Sequence, residues 1–160
     1  MRIRISIDLN AQALALIGED GACIRRYPVS TSAKGAGESQ GSGCTPRGRH
    51  RIRAKIGAGQ PAGTIFVSRR PNGRVWTPEF AHAHPGEDWV LSRILWLSGE
   101  EVGRNRLGEV DTMRRYIYIH GTGDDQPMGT PCSHGCIRMR NTDVIELFDL
   151  VDAGTQVEIA

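Results

Sequence analysis

Two histidines and two cysteines stand close together in one stretch of this sequence. Residues 119–140 read IHGTGDDQPMGTPCSHGCIRMR, with His120 near the start and Cys132, His134 and Cys136 in the second half. Such residues can bind a metal ion, two thiols can form a disulfide, and a histidine can activate a thiol as a nucleophile. The spacing of the residues, and the elements that carry them, must decide between these chemistries.

The spacing of His134 and Cys136 favours a nucleophile with its base. Side chains two positions apart in an extended segment point to the same side, which would put the imidazole beside the thiol. A neutral histidine accepts the thiol proton, and an imidazolium lowers the pKa of the thiol, so that a thiolate attacks a carbonyl carbon. Gly135 between them allows a tight turn, whose backbone N–H groups can stabilise an oxyanion.

Two further residues are candidates for the same pocket. His120 follows a predicted strand and opens into a Gly-rich stretch, where it would serve either acid–base chemistry or a structural, capping role. Arg138 lies two positions beyond Cys136 and would bind a substrate carboxylate, brace the loop or lie on the surface. The spacing alone leaves these alternatives open.

A zinc site is the main alternative to a thiol nucleophile. Cys132, His134, Cys136 and His120 would provide two sulfurs and two nitrogens, which is an acceptable tetrahedral set. The C-x-H-x-C spacing, however, differs from the paired C-x-x-C of structural zinc sites, and the sequence has a single such cluster. The residues therefore favour the thiol chemistry without excluding zinc.

Length and charge exclude some classes of protein. The 160 residues suit one domain (1–160), and 20 basic against 18 acidic residues leave a net charge of only +2, which argues against nucleic acid as a main partner. No apolar run is long enough to span a membrane, and the alternating N-terminus is unlike a secretory signal. We therefore expect a cytoplasmic protein, or a periplasmic one if the chain has been trimmed. In a reducing compartment the four cysteines would remain thiols.

Strands dominate the predicted elements. Alternating or continuous apolar patterns predict strands at 2–9, 14–17, 22–29, 49–56, 63–68, 89–97, 115–120 and 156–159. Residues rich in Gly and Ser at 30–48, and Gly-rich charged residues at 99–112, predict loops. The Pro-containing stretch at 69–88 predicts a long surface excursion, and the region 69–112 as a whole is predicted to be a lid or insertion.

One helix is predicted directly after the Cys/His motif. Val144, Leu147, Phe148 and Val151 follow helical spacing. Asn141 or Thr142 is the expected N-cap, Asp143 adds negative charge to the first turn, and Gly154 is placed to end the helix.

Several blocks, in the right order, resemble the L,D-transpeptidase catalytic domain of the YkuD type. They are ISID at 5–8 with Gln12, GS at 41–42 with TPRG at 45–48, HGT at 120–122, SHGCIR at 133–138, and the closing helix and strand from Leu147 to Val157. The resemblance covers nearly the whole chain, and the HGT and SHGC pair is its specific part.

The resemblance implies a fold and a role for each matching residue. The fold would be mostly β, a β-sandwich-like mixed sheet with a short C-terminal helix after the catalytic loop. Cys136 would be the acyl-accepting nucleophile and His134 its base, oriented by a backbone carbonyl instead of an Asp. His120 and Arg138 would line the donor pocket. Ser133 and Gly135 would shape the turn and the oxyanion hole. The resemblance implies no metal and no cofactor. Cys132 departs from the core signature, and we expect it to be a small buried or half-buried thiol that could form a regulatory disulfide with Cys136.

The resemblance also implies a substrate class. Members of this family attack peptidoglycan stem tetrapeptides at the carbonyl of the third residue, a diamino acid, and release the terminal D-Ala from a thioester acyl-enzyme. An amine from a second stem then gives a cross-link, whereas water gives a tripeptide. A cytoplasmic protein would meet soluble muropeptides, which favours water and an L,D-carboxypeptidase. Carbapenem-type β-lactams are expected to acylate the same thiol. A non-catalytic or zinc-binding cell-wall module is the remaining alternative.

Overall fold

Ten strands and two helices make up residues 2–160, the part of the chain that the computed structural model describes. The strands are β1 (Arg4–Asp8), β2 (Ala13–Ile17), β3 (Cys23–Pro28), β4 (Gly48–Ile56), β5 (Thr64–Val67), β6 (Arg70–Val75), β7 (Val90–Gly99), β8 (Tyr118–Gly121), β9 (Ile137–Met139) and β10 (Gln156–Ile159). The helices are α1 (Pro78–Ala83) and α2 (Asn141–Leu150), and Gly108–Val110 form a single 3-10 turn. Within residues 2–160 no helix has the length and apolar character needed to cross a membrane.

The strands form one mixed sheet that branches at β7. The main path runs β3-β2-β1-β10-β4-β7-β5-β6, and β8 also pairs with β7 and continues to β9. The pairs β1/β10 and β8/β9 are parallel, whereas the other strand pairs are antiparallel. The predicted fold class, a mostly β mixed sheet with a short helix after the Cys/His motif, is confirmed.

One large apolar core lies between the sheet and α2. Alternating residues of β1, such as Ile5 and Ile7, point into this core, as their spacing predicts. The helix contributes the buried side chains Val144, Leu147 and Phe148 and packs against β7 and β8. Helix α2 therefore packs against the core side of β7 and β8, and β8 leads into the Cys/His motif.

The ends of α2 differ from the prediction. Its N-cap is Arg140, in an extended conformation and without a side-chain cap. Asn141 does not cap because its side-chain amide donates to the Thr122 carbonyl at 2.9 Å, which ties the helix to the HGT block. The helix also ends at Leu150, ahead of Gly154, which has φ +92° and lies in the turn that leads into β10.

The stretch at 69–88 holds more regular structure than its composition suggests. It contains β6, an edge strand paired with β5, and the short helix α1. Thr77 caps α1 by accepting from the Phe80 N–H at 3.0 Å, and Pro78 occupies the first turn, so both start signals were present in the sequence. The role of 69–112 as a lid or insertion stays a prediction, although β7 within it is the branch point of the sheet.

Most predicted strands agree with the structure within two residues, and the exceptions lie near the motif. Strand β8 begins at Tyr118 because Tyr116 adopts a left-handed backbone conformation with φ +56°. Strand β9 was missed, since its three residues follow directly on the SHGC block and offer too short a pattern. These two strands nevertheless place the candidate site.

Leu147 and Leu150 offer a matched test of the core. We expect Leu147→Ala to lower the free energy of unfolding by about 2–5 kcal/mol, because Leu147 is fully buried against the sheet. The same substitution at Leu150, which is 38% exposed on the same helix, should cost less than about 1 kcal/mol. Urea unfolding would measure both, and equal losses would contradict the packing of α2 described above.

Candidate active site

Strands β8 and β9 bring His120 and Cys136 to one face of the sheet. They pair in parallel, with Ile119 opposite Ile137 and His120 opposite Arg138. Ile119 and Ile137 point into the large core, so their neighbours along each strand point to the opposite face. If this register is continued by one residue toward the start of both strands, Cys136 lies opposite Tyr118. Cys136 and His120 are then diagonal neighbours on that face.

The sulfur of Cys136 lies in a partly buried position. The Tyr118 N–H donates to Sγ at 3.3 Å, and Sγ donates to the Tyr116 carbonyl at 3.3 Å. The side chain also packs against a small apolar cluster that includes Phe66 and Ile94. Burial raises the pKa of the Cys136 thiol to about 11. This effect outweighs the hydrogen bond from the Tyr118 N–H, which lowers the pKa. The free protein therefore holds a protonated thiol at neutral pH, whereas the sequence had suggested a thiolate.

His120 is a buried, neutral histidine with one ring nitrogen free to accept. Its side chain is 1% exposed, and Nδ1 lies 2.6 Å from the Gly121 carbonyl oxygen. Because a carbonyl only accepts, Nδ1 carries the proton and Nε2 is the basic nitrogen. Burial lowers the pKa of His120, although the backbone hydrogen bond and Asp88 partly offset that effect. A backbone carbonyl was expected to orient His134. In the structure it is His120 that such a carbonyl orients.

His134 points away from the position that its spacing predicted. Gly135 has φ +132°, so the segment is bent and the same-side rule for alternate residues fails. The His134 side chain is 78% exposed, and its Nδ1 lies 2.9 Å from Asp88 Oδ2. The expectation that a backbone carbonyl orients His134 is therefore wrong, because a carboxylate holds it.

The turn at 133–136 is held by its own side chains. Ser133 Oγ donates to the Cys136 carbonyl at 2.6 Å and accepts from the Gly135 N–H at 3.2 Å. A Cβ on residue 135 would lie 3.3 Å from the Cys44 carbonyl oxygen, and the positive φ adds strain for any other residue. Ser133 and Gly135 thus shape the turn, but the Gly135 N–H already has an acceptor.

The loop at 30–48 holds the other side of the motif. Ser30 and Arg138 exchange two backbone hydrogen bonds, each 2.9 Å long, and the Ser133 N–H donates to the Thr31 carbonyl at 2.9 Å. Thr45 Oγ1 donates to the Gly135 carbonyl at 2.9 Å. Composition predicted only a loop here, since these contacts join residues about one hundred positions apart and leave no local pattern.

Asp88 is the site residue that sequence reasoning missed. Its Oδ1 lies 2.7 Å from Arg138 Nη2, and its Oδ2 bonds His134. Burial raises the pKa of Asp88, but His134, His120 and Arg138 more than offset this, so that the pKa lies below its usual value. Asp88 precedes His134 by 46 positions and matches no motif, so the sequence carried no signal for it.

Arg138 braces the site from within. Only 5% of its side chain is exposed. Besides Asp88, its Nη1 donates to Gln126 Oε1 and to the Cys132 carbonyl, both at 3.2 Å. Of the alternatives that spacing left open, the contacts favour bracing over binding a substrate carboxylate.

A cleft of about 890 Å³ opens beside the motif. Helix α1 and the segment that follows it form one wall, and residues after β8 form the other. The lining includes His134, Arg138 and four carboxylates, Glu87, Asp88, Asp124 and Asp125. The cleft is therefore large enough for a peptide and rich in carboxylates, whereas Cys136 and His120 are not among its lining residues.

The thiols and histidines of the motif do not form a metal cluster. Within residues 2–160 no group of three or more His, Cys, Asp or Glu side chains has a metal-binding arrangement. Cys132 is a half-buried free thiol on the wall of the cleft, and Cys136 is also a free thiol.

The chain is similar to known proteins along nearly its whole length. The family model of the L,D-transpeptidase catalytic domain (YkuD) matches residues 2–159. A putative L,D-transpeptidase YkuD from Bacillus licheniformis is 30% identical over 156 residues, which cover 98% of this chain and 64% of that relative. The chain thus spans less than two thirds of that relative's length.

Solved structures of the same family share the fold. An L,D-transpeptidase from Xylanimonas cellulosilytica has a TM-score of 0.57 and 21% identity, covering 99% of this chain and 60% of the other. The LD transpeptidase LdtMt1, solved in complex with imipenem, has a TM-score of 0.56 and 17% identity, covering 99% of this chain and 58% of the other. At such identities the likeness shows the fold.

The reactivity of Cys136 tests its protonation state. We expect its alkylation by iodoacetamide to be slow at pH 7 and still rising between pH 9 and 10, since the thiolate reacts and the pKa is about 11. Peptide-resolved mass spectrometry would follow each cysteine, with the exposed Cys23 as the accessible reference in the same sample. A rate at Cys136 that reaches its plateau below pH 8 would contradict a protonated thiol.

Proposed function

We propose that this chain, which belongs to the L,D-transpeptidase catalytic domain (YkuD) family, is a cysteine acyltransferase that acts on peptidoglycan stem tetrapeptides. The observation that carries the proposal is the pairing of β8 with β9, which puts the Cys136 thiol and the His120 imidazole on one face. The thiol would attack the carbonyl of the third-position diamino acid, and D-Ala would leave.

In this mechanism His120 is the base, in place of His134. His120 Nε2 takes the proton from Sγ as sulfur attacks the carbonyl carbon, and the resulting imidazolium returns that proton to the amine of departing D-Ala. The bond from carbonyl carbon to sulfur forms a thioester, and the bond to the D-Ala nitrogen breaks. The Gly121 carbonyl holds the ring in the required tautomer through Nδ1. His134 is less suited to this task because it is exposed and bound to Asp88.

The protonated thiol suits such a mechanism. A buried sulfur without a neighbouring imidazolium stays neutral until a substrate arrives, and a neutral His120 is ready to accept its proton. The resemblance assigns the oxyanion to the turn of Ser133 and Gly135. For that role the Gly135 N–H would exchange its 3.2 Å bond to Ser133 Oγ for the oxyanion.

The second half of the reaction transfers the acyl group. An amine of a second stem, or water, attacks the thioester carbon while His120 again accepts the proton. The bond from that carbon to sulfur then breaks, and the imidazolium returns the proton to the departing Cys136 sulfur. Besides Asp88, which is paired with Arg138, three carboxylates in the cleft favour a substrate that carries an ammonium group, such as the side chain of a diamino acid. This supports amine transfer and cross-linking; hydrolysis to a tripeptide by an L,D-carboxypeptidase is the alternative for a chain that meets soluble muropeptides.

The same thiol is a proposed target of β-lactams. A related protein of the same fold was solved in complex with imipenem. We propose that carbapenems acylate Cys136 here, because a strained lactam carbonyl presents the electrophile that the thiol attacks in the peptide.

Release of D-Ala from a defined disaccharide tetrapeptide tests the function. Cys136→Ala should abolish release while the unfolding midpoint stays close to that of the parent, since only a sulfur atom is lost. Cys23→Ala, at an exposed position outside the site, is the matched control and should keep full activity. D-Ala release by the Cys136→Ala protein would refute the assignment of the nucleophile.

The products of the same incubation distinguish the two acceptors. We expect cross-linked dimer to increase with the concentration of the stem peptide, because a second stem then competes with water for the acyl-enzyme. Mass spectrometry of the products would measure the ratio of dimer to tripeptide. Tripeptide alone at every concentration would favour the carboxypeptidase alternative.

A further inference from the structure

Asp88 joins the two residues that lie two positions before and two positions after Cys136. One carboxylate oxygen contacts His134 Nδ1 at 2.9 Å, and the other contacts Arg138 Nη2 at 2.7 Å. A single side chain from a distant part of the chain therefore spans the turn that carries the candidate nucleophile.

The backbone that carries Asp88 is itself anchored. Trp89, the next residue, packs against Phe80 of α1 with ring centroids 4.9 Å apart, and Phe80 stacks on His84 at 4.3 Å. Strand β7 begins at Val90. Asp88 thus directly precedes Trp89, which is held in the aromatic cluster, and the branch strand β7, which limits how far its carboxylate can move.

The charges around the site show why a carboxylate matters there. Asp88 and Arg138 are the charged groups that act on His120, and Arg115 joins them at Cys136. Tyr118, beside Cys136, has a neutral phenol side chain and therefore adds no charge. Among residues 2–160, Asp88 is the one acidic side chain in an ion pair with the buried Arg138. Without it, an uncompensated buried cation would face the imidazole.

We propose that Asp88 is a positioning residue, which fixes His134 and Arg138 on either side of Cys136 and supplies the negative charge that stabilises the His120 imidazolium during acyl transfer. The inference rests on the proposed function for its catalytic part. The contacts of Asp88 with His134 and Arg138, and the effect of its charge on the thiol, are independent of any substrate.

The sign of the effect follows from the charges. The Asp88 carboxylate raises the pKa of His120 and of Cys136, whereas Arg138 lowers both. In Asp88→Asn the carboxylate is lost and Arg138 is unpaired, so both groups should lose their protons at lower pH. The acidic and the alkaline limbs of the pH–rate profile should then move together toward lower pH. A role in packing alone would lower the rate without moving the profile.

The experiment compares three variants with the parent protein. Asp88→Asn removes the charge and keeps the size, Asp88→Glu keeps the charge, and Glu79→Gln removes a carboxylate from exposed α1 outside the cleft. For each, the pH dependence of D-Ala release and of Cys136 alkylation by iodoacetamide is measured. We expect both profiles of Asp88→Asn to shift by on the order of 0.5–1 pH unit to lower pH, with a lower maximal rate of release.

The controls fix the interpretation. Asp88→Glu should keep the position of both profiles, even if its maximal rate falls, and Glu79→Gln should match the parent. An Asp88→Asn protein that folds, as judged by its unfolding midpoint, but keeps the parent's alkylation profile would overturn the proposal. If Asp88→Asn is unfolded, the pH profiles of Asp88→Glu decide the question. Asp88→Glu keeps the negative charge, so a shift of its profiles as large as that expected for Asp88→Asn would refute an electrostatic role.

The two readouts separate this proposal from the proposed function. If the parent protein releases no D-Ala, the acyltransferase function fails, and the alkylation profiles still test whether Asp88 acts on Cys136. If release is present and the alkylation profile of Asp88→Asn is unchanged, the function stands and the role of Asp88 fails.

Discussion

The parallel pairing of two short strands, β8 and β9, is the constraint on which the site depends. Antiparallel neighbours can be joined by a tight hairpin, whereas a parallel pair needs a long connection. The chain makes this connection through residues 122–136, which contain the Gly-rich stretch and the turn that ends at Cys136. The same pairing that buries Ile119 and Ile137 therefore decides that His120 and Cys136 share a face. Helix α2 and the loop at 30–48 hold this pair from two sides.

The site combines a protonated sulfur with a buried neutral imidazole. Burial acts on the two groups in opposite directions, since it raises the pKa of the thiol and lowers that of the histidine. Both effects favour the uncharged pair, and charge then develops only as the thiol reacts. Beside this uncharged pair, Asp88 and Arg138 carry opposite charges and form an ion pair. The pair links the wall of the cleft to the Cys/His motif.

Sequence reasoning reached the fold class and some of the residues that the structure places around the Cys/His motif, but not the contacts between them. Periodicity was sufficient for β1 and α2, because each has one buried face, and the HGT and SHGC blocks identified His120 and Cys136. The surroundings of His134 were not predicted, because the same-side rule holds for extended backbone and Gly135 has a positive φ. Asp88 was missed since it acts across 46 positions and matches no motif.

Two histidine variants distinguish the candidates for the general base. His120→Gln and His134→Gln would be treated with the same tetrapeptide, and the rate of thioester formation at Cys136 would be followed by intact-protein mass spectrometry. We expect His120→Gln to slow acylation by at least about 100-fold, as for loss of a general base, and His134→Gln to have a much smaller effect. The reverse order of the two rates would contradict this expectation.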